Sequence, residues 1–259
     1  MSEAAEPEVQ FRTDVTVELV RSSASDGDVL FAARVSTLGE KTLEAASAGR
    51  EAIDRETVDR ETPAPSARDR GLINYLMRDR HGSPFEHNSM TFYVQAPIFV
   101  FREFMRHRIA SYNEESGRYR ELRPVFYVPA ENRNLIQVGK PGAYEFLPGD
   151  DKQHLLVDET VRQASEFAYA AYRKMLAEGV AREVARMVLP LNIYSSMYVT
   201  MNARALMNFL SLRRHVEGAA FPSFPQREIE MCAEKMEAIW TGLMPLTQAA
   251  FIAHGRVAP

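Results

Sequence analysis

The sequence predicts an α+β fold, a single mixed domain that is helix-rich and has a small, mostly antiparallel sheet. Most periodic segments have apolar residues at helical spacing. A few shorter segments alternate apolar and polar residues, as half-buried strands do, and these must pair across long separations in the sequence. The chain has neither internal repeats nor low-complexity tracts. One domain over residues 13–259 therefore accounts for the pattern, and residues 1–12 are expected to form a disordered acidic tail.

The composition narrows the possible functions. Hydrophobic residues make up 46% and charged residues 25% of the 259-residue chain, which is ample material for a core. The net charge of −4 argues against a general nucleic-acid coat protein. Cys232 is the single cysteine, which excludes an internal disulfide and fits a reducing cytoplasm. Residues 1–10 do not resemble a signal peptide, and the apolar stretches are too short to span a membrane. We therefore expect a cytoplasmic protein with no membrane or nucleic-acid partner.

The N-terminal part of the chain is predicted to contain a strand and two helices. Asp14–Val20 alternates apolar and polar residues, as a half-buried strand does. Asp28 is positioned to cap a short helix over Val29–Val35. Residues 41–66 are charged, rich in alanine and end in prolines, so we expect a mobile insert there. Arg68–Arg80 has its apolar residues on one helical face.

In the middle of the chain, a strand leads directly into a helix. Asn88–Ala96 has apolar residues at every second position. Pro97 then begins a helix that ends in the basic triplet Arg106–Arg108. The helix dipole favours cations at this end, but capping explains one basic residue more readily than three.

The C-terminal half is predicted to be mainly helical. Residues 129–151 contain glycine and proline and are expected to form a long connection. Both the helical and the strand period fit Tyr194–Thr200 about equally, so both states stay open at this point. The other predicted segments are an extended stretch over Arg118–Val128, helices over Gln153–Glu178, Ala181–Leu189, Ala203–Arg213 and Pro225–Leu243, and a loop over Arg214–Phe224.

The most polar stretch of the sequence is Arg106–Tyr119. It contains three arginines, a histidine, two glutamates, two serines and an asparagine, and it has no apolar period after Ile109. A solvated loop can be this polar, but it is more often rich in lysine and proline. Arginine binds phosphates and planar oxo groups through paired hydrogen bonds. The stretch therefore indicates an anion and nucleotide site.

The same stretch resembles a known family. Arg106–Arg108, Ser111, Asn113–Glu114, Ser116 and Arg118–Tyr119 match the RHRxxSxNExSxRY signature of the flavin-dependent thymidylate synthases at every specified position. The signature is long and specific. Further segments that resemble the family extend the similarity from about residue 29 to about residue 245; they are His81–His87, Ala96–Ile98, Arg182–Arg186 and Asn202–Arg213.

The resemblance implies a reaction and an assembly. The reaction is the methylation of dUMP to dTMP, with 5,10-methylenetetrahydrofolate as carbon donor, FAD as hydride carrier and NADPH as reductant. The family builds its sites between the subunits of a homotetramer. It uses no nucleophilic cysteine, and Cys232 lies within a predicted helix, where a buried packing role is expected. The sequence shows no cluster of metal-ligand spacing, so no metal site is expected.

The resemblance also implies the residues around dUMP. Arg213 is the expected catalytic residue, because a guanidinium beside the uracil dione favours negative charge on the ring. A helix-end arginine at the surface is the structural alternative. Many relatives have glutamine where this chain has Glu103, and an ionised carboxylate cannot donate a hydrogen bond to phosphate. The expected dUMP-binding set is Glu103, Phe104, Met105, Arg106, Glu114, Glu115, Ser116, Gly117, Arg118, Arg186 and Arg213.

A second implied set surrounds the flavin. It comprises Ser83, Arg106, His107, Arg108, Glu114, Asn202, Ala203, Arg204 and Asn208. Arg204 and Asn208 share one helical face, whereas Arg213 would point away from Arg204 on a straight helix. Asn202 is equally suited to capping that helix. His81 resembles a family histidine near flavin and folate, although a turn histidine with a structural role is an equal alternative.

Two rival functions remain open from the sequence. The first is a non-enzymatic nucleotide- or RNA-binding module, in which arginines and tyrosines bind and stack on bases. The acidic net charge argues against it. The second is a flavoprotein of the same fold that acts on another pyrimidine nucleotide.

Overall fold

The computed structural model describes residues 8–43, 66–140 and 143–259. The described chain has the predicted α+β architecture, rich in helix and with small, mainly antiparallel sheets. Its strands are β1 (Gln10–Arg12), β2 (Thr16–Ser23), β3 (Ser89–Pro97), β4 (Ser111–Glu114), β5 (Val125–Tyr127), β6 (Asn134–Lys140), β7 (Ala143–Pro148) and β8 (Tyr194–Met201). Its helices are α1 (Asp26–Leu38), α2 (Ala67–Arg78), α3 (Ile98–Phe104), α4 (Asp151–Ala177), α5 (Arg182–Ala185), α6 (Ala203–Arg213), α7 (Arg227–Leu243) and α8 (Pro245–Ala253). Short 3₁₀ turns cover Ser83–Glu86 and Arg186–Val188.

A four-stranded antiparallel sheet in the order β2-β3-β8-β4 forms the centre. Directly paired residues lie on the same face of a sheet. One such row runs through Leu19, Phe92, Val199 and Tyr112, from one edge of the sheet to the other. Phe92 and Val199 in its middle are fully buried. This face packs into the main core together with apolar residues of α1, α2, α6, α7 and α8.

A smaller core lies beside the main one. Strands β1 and β5 pair in parallel, and Phe126 of β5 is fully buried. Tyr169 and Tyr172 of α4 pack against this pair, together with Ile193. The β6–β7 hairpin forms a separate two-stranded sheet. Among the helices of the described segments, none combines the length and apolarity needed to span a bilayer.

The N-terminal predictions need two corrections, and part of a third prediction lies outside the described residues. Residues 10–12 of the predicted tail form β1, because Phe11 contributes to the smaller core; residues 1–7 lie outside the described part. Helix α1 begins at Asp26 rather than Val29, since the Ser25 hydroxyl, not Asp28, caps it. Residues 44–65 of the predicted insert also lie outside the described residues, and Ser66 caps α2.

Four further features differ from the sequence-based prediction, and one open alternative is resolved. The predicted long connection contains the β6–β7 hairpin, and β4 lies inside the polar stretch that shows no period. Helix α8 follows α7 after a break at Met244, and its first amides donate to the Asp26 carboxylate. The helix predicted over residues 181–189 is interrupted, with α5 passing into a 3₁₀ turn at Arg186. Tyr194–Met201 is a strand, because it pairs along its whole length with β3.

Candidate active site

The C-terminal ends of α3 and α6 meet at Arg213. Its Nη1 lies 2.5 Å from Glu103 Oε2, in an ion pair. Its Nε donates to His107 Nε2 over 2.9 Å, and its Nη2 lies 3.5 Å from the Glu103 carbonyl oxygen. Only 19% of the arginine side chain is exposed. The guanidinium is therefore fixed in orientation by three contacts, which a free helix-end arginine at the surface would lack.

His107 is neutral in this arrangement. Burial and the positive charge of Arg213 lower the pKa of His107 to about 4. Because the arginine Nε–H donates to Nε2, that ring nitrogen must be unprotonated. The imidazole packs edge-on against Phe209, whose ring stacks on Phe104 with 4.9 Å between centroids. An aromatic stack in the core thus supports the histidine that holds Arg213.

Tyr112 ties the polar motif to the end of α3. Its hydroxyl lies 2.7 Å from the Phe104 carbonyl oxygen and 2.8 Å from that of His107. Burial raises the pKa of Tyr112 to about 12, so the hydroxyl stays protonated and can donate. The pairing of β4 with β8 places Tyr112 on the core face opposite Val199. The single hydroxyl proton is thus shared between one carbonyl oxygen at the end of α3 and one just beyond it.

Glu114 lies at the end of β4, opposite Met197. Burial raises the pKa of the Glu114 carboxyl above its usual value, although the positive charges of Arg186 and Arg102 act in the opposite direction. The buried Ser195 lies on the same face of β8 as Met197, two residues before it. Glu114 and Arg186 come from positions 72 residues apart in the chain, and the fold brings their charges together.

Gly117 makes room for Arg186. Gly117 is buried, and a Cβ atom built on it would lie 3.3 Å from Arg186 Cδ and 3.2 Å from Leu122 Cδ1. A side chain at position 117 would therefore press on the stem of the arginine. The turn that begins at Gly117 thus lies against the 3₁₀ turn that begins at Arg186.

The other motif residues contact neighbouring elements at the surface. The Arg118 guanidinium pairs with Glu183 of α5 at 2.9 Å, and its backbone amide donates to the Ser116 hydroxyl over 3.3 Å. The Glu115 carboxylate accepts from the Ser196 hydroxyl over 3.2 Å and pairs with Arg120 at 3.0 Å. Arg118 is about half exposed, so its ion pair is easily exchanged for another anion.

Part of the predicted flavin set, namely Ser83, Asn202, Ala203 and Arg204, lies at the opposite end of α6, whereas the motif residues of that set do not. Asn202 caps the helix by accepting from the Ala205 amide over 2.8 Å, and the Ala203 amide donates to Asn88 over 2.8 Å. The predicted capping role of Asn202 is confirmed. Arg204 pairs with Glu86 at 2.5 Å and donates from Nε to the Pro259 carbonyl oxygen over 2.6 Å.

The backbone at Gly82 packs closely against the Arg204 side chain. A Cβ on Gly82 would lie 2.6 Å from Arg204 Cζ and Nε and 2.8 Å from the Pro259 oxygen. Ser83, next in the chain, is exposed, as is Asn208 one helical turn beyond Arg204. The exposed His81 ring stacks on Tyr75 with 5.5 Å between centroids, which gives it a structural contact in this chain.

The remaining predicted residues are exposed. Arg106 and Arg108 form no side-chain hydrogen bond or ion pair with any described residue, and the Met105 side chain is 46% exposed. The structure therefore brings together three groups. They are Glu103, Phe104, His107 and Arg213; Glu114, Gly117 and Arg186; and Ser83, Asn202, Ala203 and Arg204. Arg213 and Arg204 have separate partners, as expected for opposite sides of one helix.

Sequence reasoning missed the residues that support these groups. Tyr112 and Ser196 touch motif residues, and Glu86 and Gly82 touch Arg204. The segment His81–His87 resembles the family, but its sequence does not indicate these contacts. Tyr112 and Ser196 carried no separate signal, because the pairing of β4 with β8 was not predicted.

Two other features of the described chain bear on the chemistry. Cys232 is fully buried, as predicted, and burial raises the pKa of its thiol. A cleft of about 770 Å³ lies between the β6–β7 hairpin and the start of α7, and none of the predicted site residues lines it. The candidate site is defined by its charged side chains rather than by a deep cavity.

A family model, curated relatives and solved structures that match this chain all point to one family. Residues 18–246 match the family model described as thymidylate synthase complementing protein. A flavin-dependent thymidylate synthase of Streptomyces coelicolor is 62% identical, over 99% of this chain and 98% of that protein. One from Tropheryma whipplei is 59% identical over 96% of this chain and 97% of that protein. A crystal structure of the UMP/dUMP methylase PolB from Streptomyces cacaoi, bound with 5-Br dUMP, superposes with a TM-score of 0.84 at 53% identity, covering 97% of this chain and 100% of that one.

Proposed function

The chain belongs to the family of flavin-dependent thymidylate synthases, and we propose that it converts dUMP to dTMP with FAD, NADPH and 5,10-methylenetetrahydrofolate. The observation that carries the proposal is the fixed Arg213 guanidinium. It is held by His107 of the motif and by Glu103, two residues that lie more than 100 positions away in the sequence. A cation fixed at this place suits a pyrimidine ring on which negative charge must develop.

Arg213 is the proposed catalytic residue. Its guanidinium contacts the uracil dione and stabilises the enolate-like form that makes C5 nucleophilic. Two of its five N–H groups have no partner among the described residues and are available to carbonyl oxygens. The neutral His107 adds no competing positive charge beside it.

The nucleotide phosphate is assigned to the second group. Arg186 and Arg118 supply guanidinium forks, and Ser116 and Gly117 supply a hydroxyl and closely approaching backbone. Arg106 completes this cationic surface. Phe104, Met105, Glu114 and Glu115 are the remaining proposed contacts. No covalent bond between enzyme and nucleotide is needed, which agrees with the burial of Cys232.

The residues at the N-terminal end of α6 fit a flavin. An 11-residue helix presents its N-terminus there, and Gly82 lets Arg204 and the Pro259 oxygen pack closely against the backbone of the preceding turn. Arg204 is 41% exposed, so its ion pair with Glu86 is open to a phosphate or a ring carbonyl. Ser83, Asn202, Ala203 and Asn208 are the other proposed contacts on this side, with His107 and Arg108 from the motif. His81 is a possible neighbour of flavin or folate. When bound, the flavin supplies hydride chemistry.

The two sets lie at opposite ends of one helix, which supports an assembly in which each site takes residues from more than one subunit. Exposed apolar side chains near the motif agree with such contacts. Ile109 is 73% exposed and Met187 77% exposed. We propose a homotetramer, in the cytoplasm, as for the family.

The first test is the visible absorption spectrum of the purified protein, followed by anaerobic addition of NADPH with and without dUMP. We expect a flavin spectrum that bleaches, and that bleaches faster with dUMP present. Formation of dTMP is then measured with methylenetetrahydrofolate, and UMP is assayed beside dUMP because the structural relative is described as a UMP/dUMP methylase.

Arg213→Ala tests the proposed catalytic residue. We expect retained flavin and a loss of turnover of roughly 100-fold or more, because a fixed charge beside the reacting ring is removed. A protein that binds no flavin and shows no flavin-dependent conversion of dUMP would contradict the proposed function. Salt-sensitive binding to oligonucleotides with indifference to dUMP would instead favour the nucleic-acid-binding rival.

A further inference from the structure

Glu103 pairs with the Arg213 guanidinium, the group assigned above to the uracil dione. Its carboxylate oxygen lies 2.5 Å from Nη1 of the guanidinium. A carboxylate is a charged acceptor and binds a guanidinium more strongly than a neutral uracil carbonyl does. Its negative charge also opposes the charge that the dione must acquire and the charge of the nucleotide phosphate.

The two partners of this ion pair are unequally buried. The Arg213 side chain is 19% exposed and the Glu103 side chain 35% exposed. Arg213 keeps the hydrogen bond to His107 if the carboxylate leaves, and the Glu103 carbonyl oxygen stays in place with the backbone. The carboxylate, in contrast, can turn into water with little desolvation penalty to overcome. The glutamate is therefore the movable partner.

The geometry points to Glu103 as an internal competitor of the substrate at Arg213: its carboxylate offsets the charge of the guanidinium and is displaced as the uracil dione binds. Glu103 thereby weakens nucleotide binding and restricts it to ligands that accept hydrogen bonds well enough to displace a carboxylate. Glu103 acts through Arg213 and is not itself a catalytic residue. This inference rests on the proposed function, because it takes a uracil nucleotide as the ligand.

A positioning role for the Glu103 carboxylate predicts the opposite change in nucleotide affinity. If the carboxylate served to hold Arg213 in the binding orientation, its neutralisation would weaken nucleotide binding. The contacts to His107 and to the Glu103 carbonyl oxygen already fix the guanidinium without the carboxylate, which favours competition. The sign of the change in affinity decides between the two roles.

The test uses Glu103→Gln, which keeps the shape of the side chain and removes its charge. The flavin-loaded, full-length protein is titrated with dUMP by calorimetry. We expect a Kd roughly fivefold lower than for the unchanged protein, the scale of a partly exposed ion pair. The KM for dUMP should fall with it. The same substitution in an Arg213→Ala background should change Kd by less than about twofold, because the competed group is gone.

Several results of the dUMP titration would overturn the inference. An unchanged or higher Kd in a Glu103→Gln protein with normal flavin content and melting temperature would overturn the inference, as would tightening that persists without Arg213. If Glu103→Gln does not fold, Glu103→Asp replaces it. The shorter side chain withdraws the carboxylate and should give smaller tightening, and an unchanged Kd there would overturn the inference too. If no variant and not even the unchanged protein binds dUMP, the proposed function itself fails and the inference with it.

Discussion

The two ends of α6 each hold an arginine, but they hold it differently. Arg213 at the C-terminal end is 19% exposed and rests on His107, which packs against a buried aromatic stack. Arg204 near the N-terminal end is 41% exposed, and its partners are an exposed carboxylate, Glu86, and a backbone oxygen at Pro259. One arginine is supported by the aromatic core, and the other by an exposed carboxylate and by the buried chain segment at Pro259.

The two ends of α6 are therefore suited to different roles. A charge that must stabilise a reacting ring needs an orientation fixed before the ligand arrives, and packing in the core provides it. A charge that contacts a large ligand can be held by exposed partners, since these are exchanged at little free-energy cost. The C-terminal end therefore suits the chemistry and the N-terminal end suits ligand binding.

We expect the largest effect on stability and flavin content from a substitution at the N-terminal end of α6. Gly82→Ala would place a Cβ 2.6 Å from Arg204 Cζ and 2.8 Å from the Pro259 oxygen. Arg204 and the segment at Pro259 must then move, at a cost of about 1–3 kcal/mol in the free energy of unfolding. We expect flavin retention to fall by roughly tenfold or more, since a displacement of this kind is worth more than 1.4 kcal/mol in binding. Urea unfolding and the flavin-to-protein absorbance ratio measure the two effects.

Gly71→Ala is the matched control. Gly71 lies inside α2, and a Cβ there meets nothing within 4 Å. The substitution should leave flavin content unchanged and raise the free energy of unfolding by about 0.5–1 kcal/mol, the usual gain for alanine in a helix interior. Equal flavin loss in both variants would mean that the space at Gly82 has no special role.

The next effect concerns pH at the C-terminal end. The pKa of His107 is lowered from 6.5 to about 4, so the unfolded chain binds this proton more readily than the folded one. The corresponding stability is fully present above pH 6.5 and is lost as the pH falls towards 4. The urea midpoint should therefore drop more between pH 7 and pH 5 in the unchanged protein than in His107→Gln. Parallel drops in both proteins would contradict a depressed pKa at this histidine.

The smallest expected effect is at the exposed ion pair. Glu86→Gln removes the partner of Arg204, and both side chains are more than 40% exposed. We expect a loss below about 1 kcal/mol in the free energy of unfolding, because water solvates each group well. Thermal unfolding at matched ionic strength measures it. A loss of several kcal/mol would show that the N-terminal end is as firmly supported as the C-terminal end.

Local pattern determined much of the fold. The α+β class and the approximate positions of α2, α4, α6 and α7 follow from helical periodicity and capping. Strand β3 follows from strict alternation. The elements that pattern missed depend on pairing partners. β4 is polar and only four residues long, and it is a strand because β8 provides the other half of its hydrogen bonds. Tyr194–Met201 fits both periods, and β3 decides its state.

The features of the candidate site also fall into those that local sequence indicates and those that depend on tertiary contacts. The motif Arg106–Tyr119 and the helix end at Arg213 are evident from residue types and spacing alone. That Arg213 rests on His107 and Glu103, that Gly117 gives space to Arg186, and that burial raises the pKa of Glu114 depend on contacts between distant segments. Sequence by itself determined which chemical groups are present. Only the tertiary structure decided which charges meet and how deeply each is buried, because both depend on packing across long sequence separations that no local period encodes.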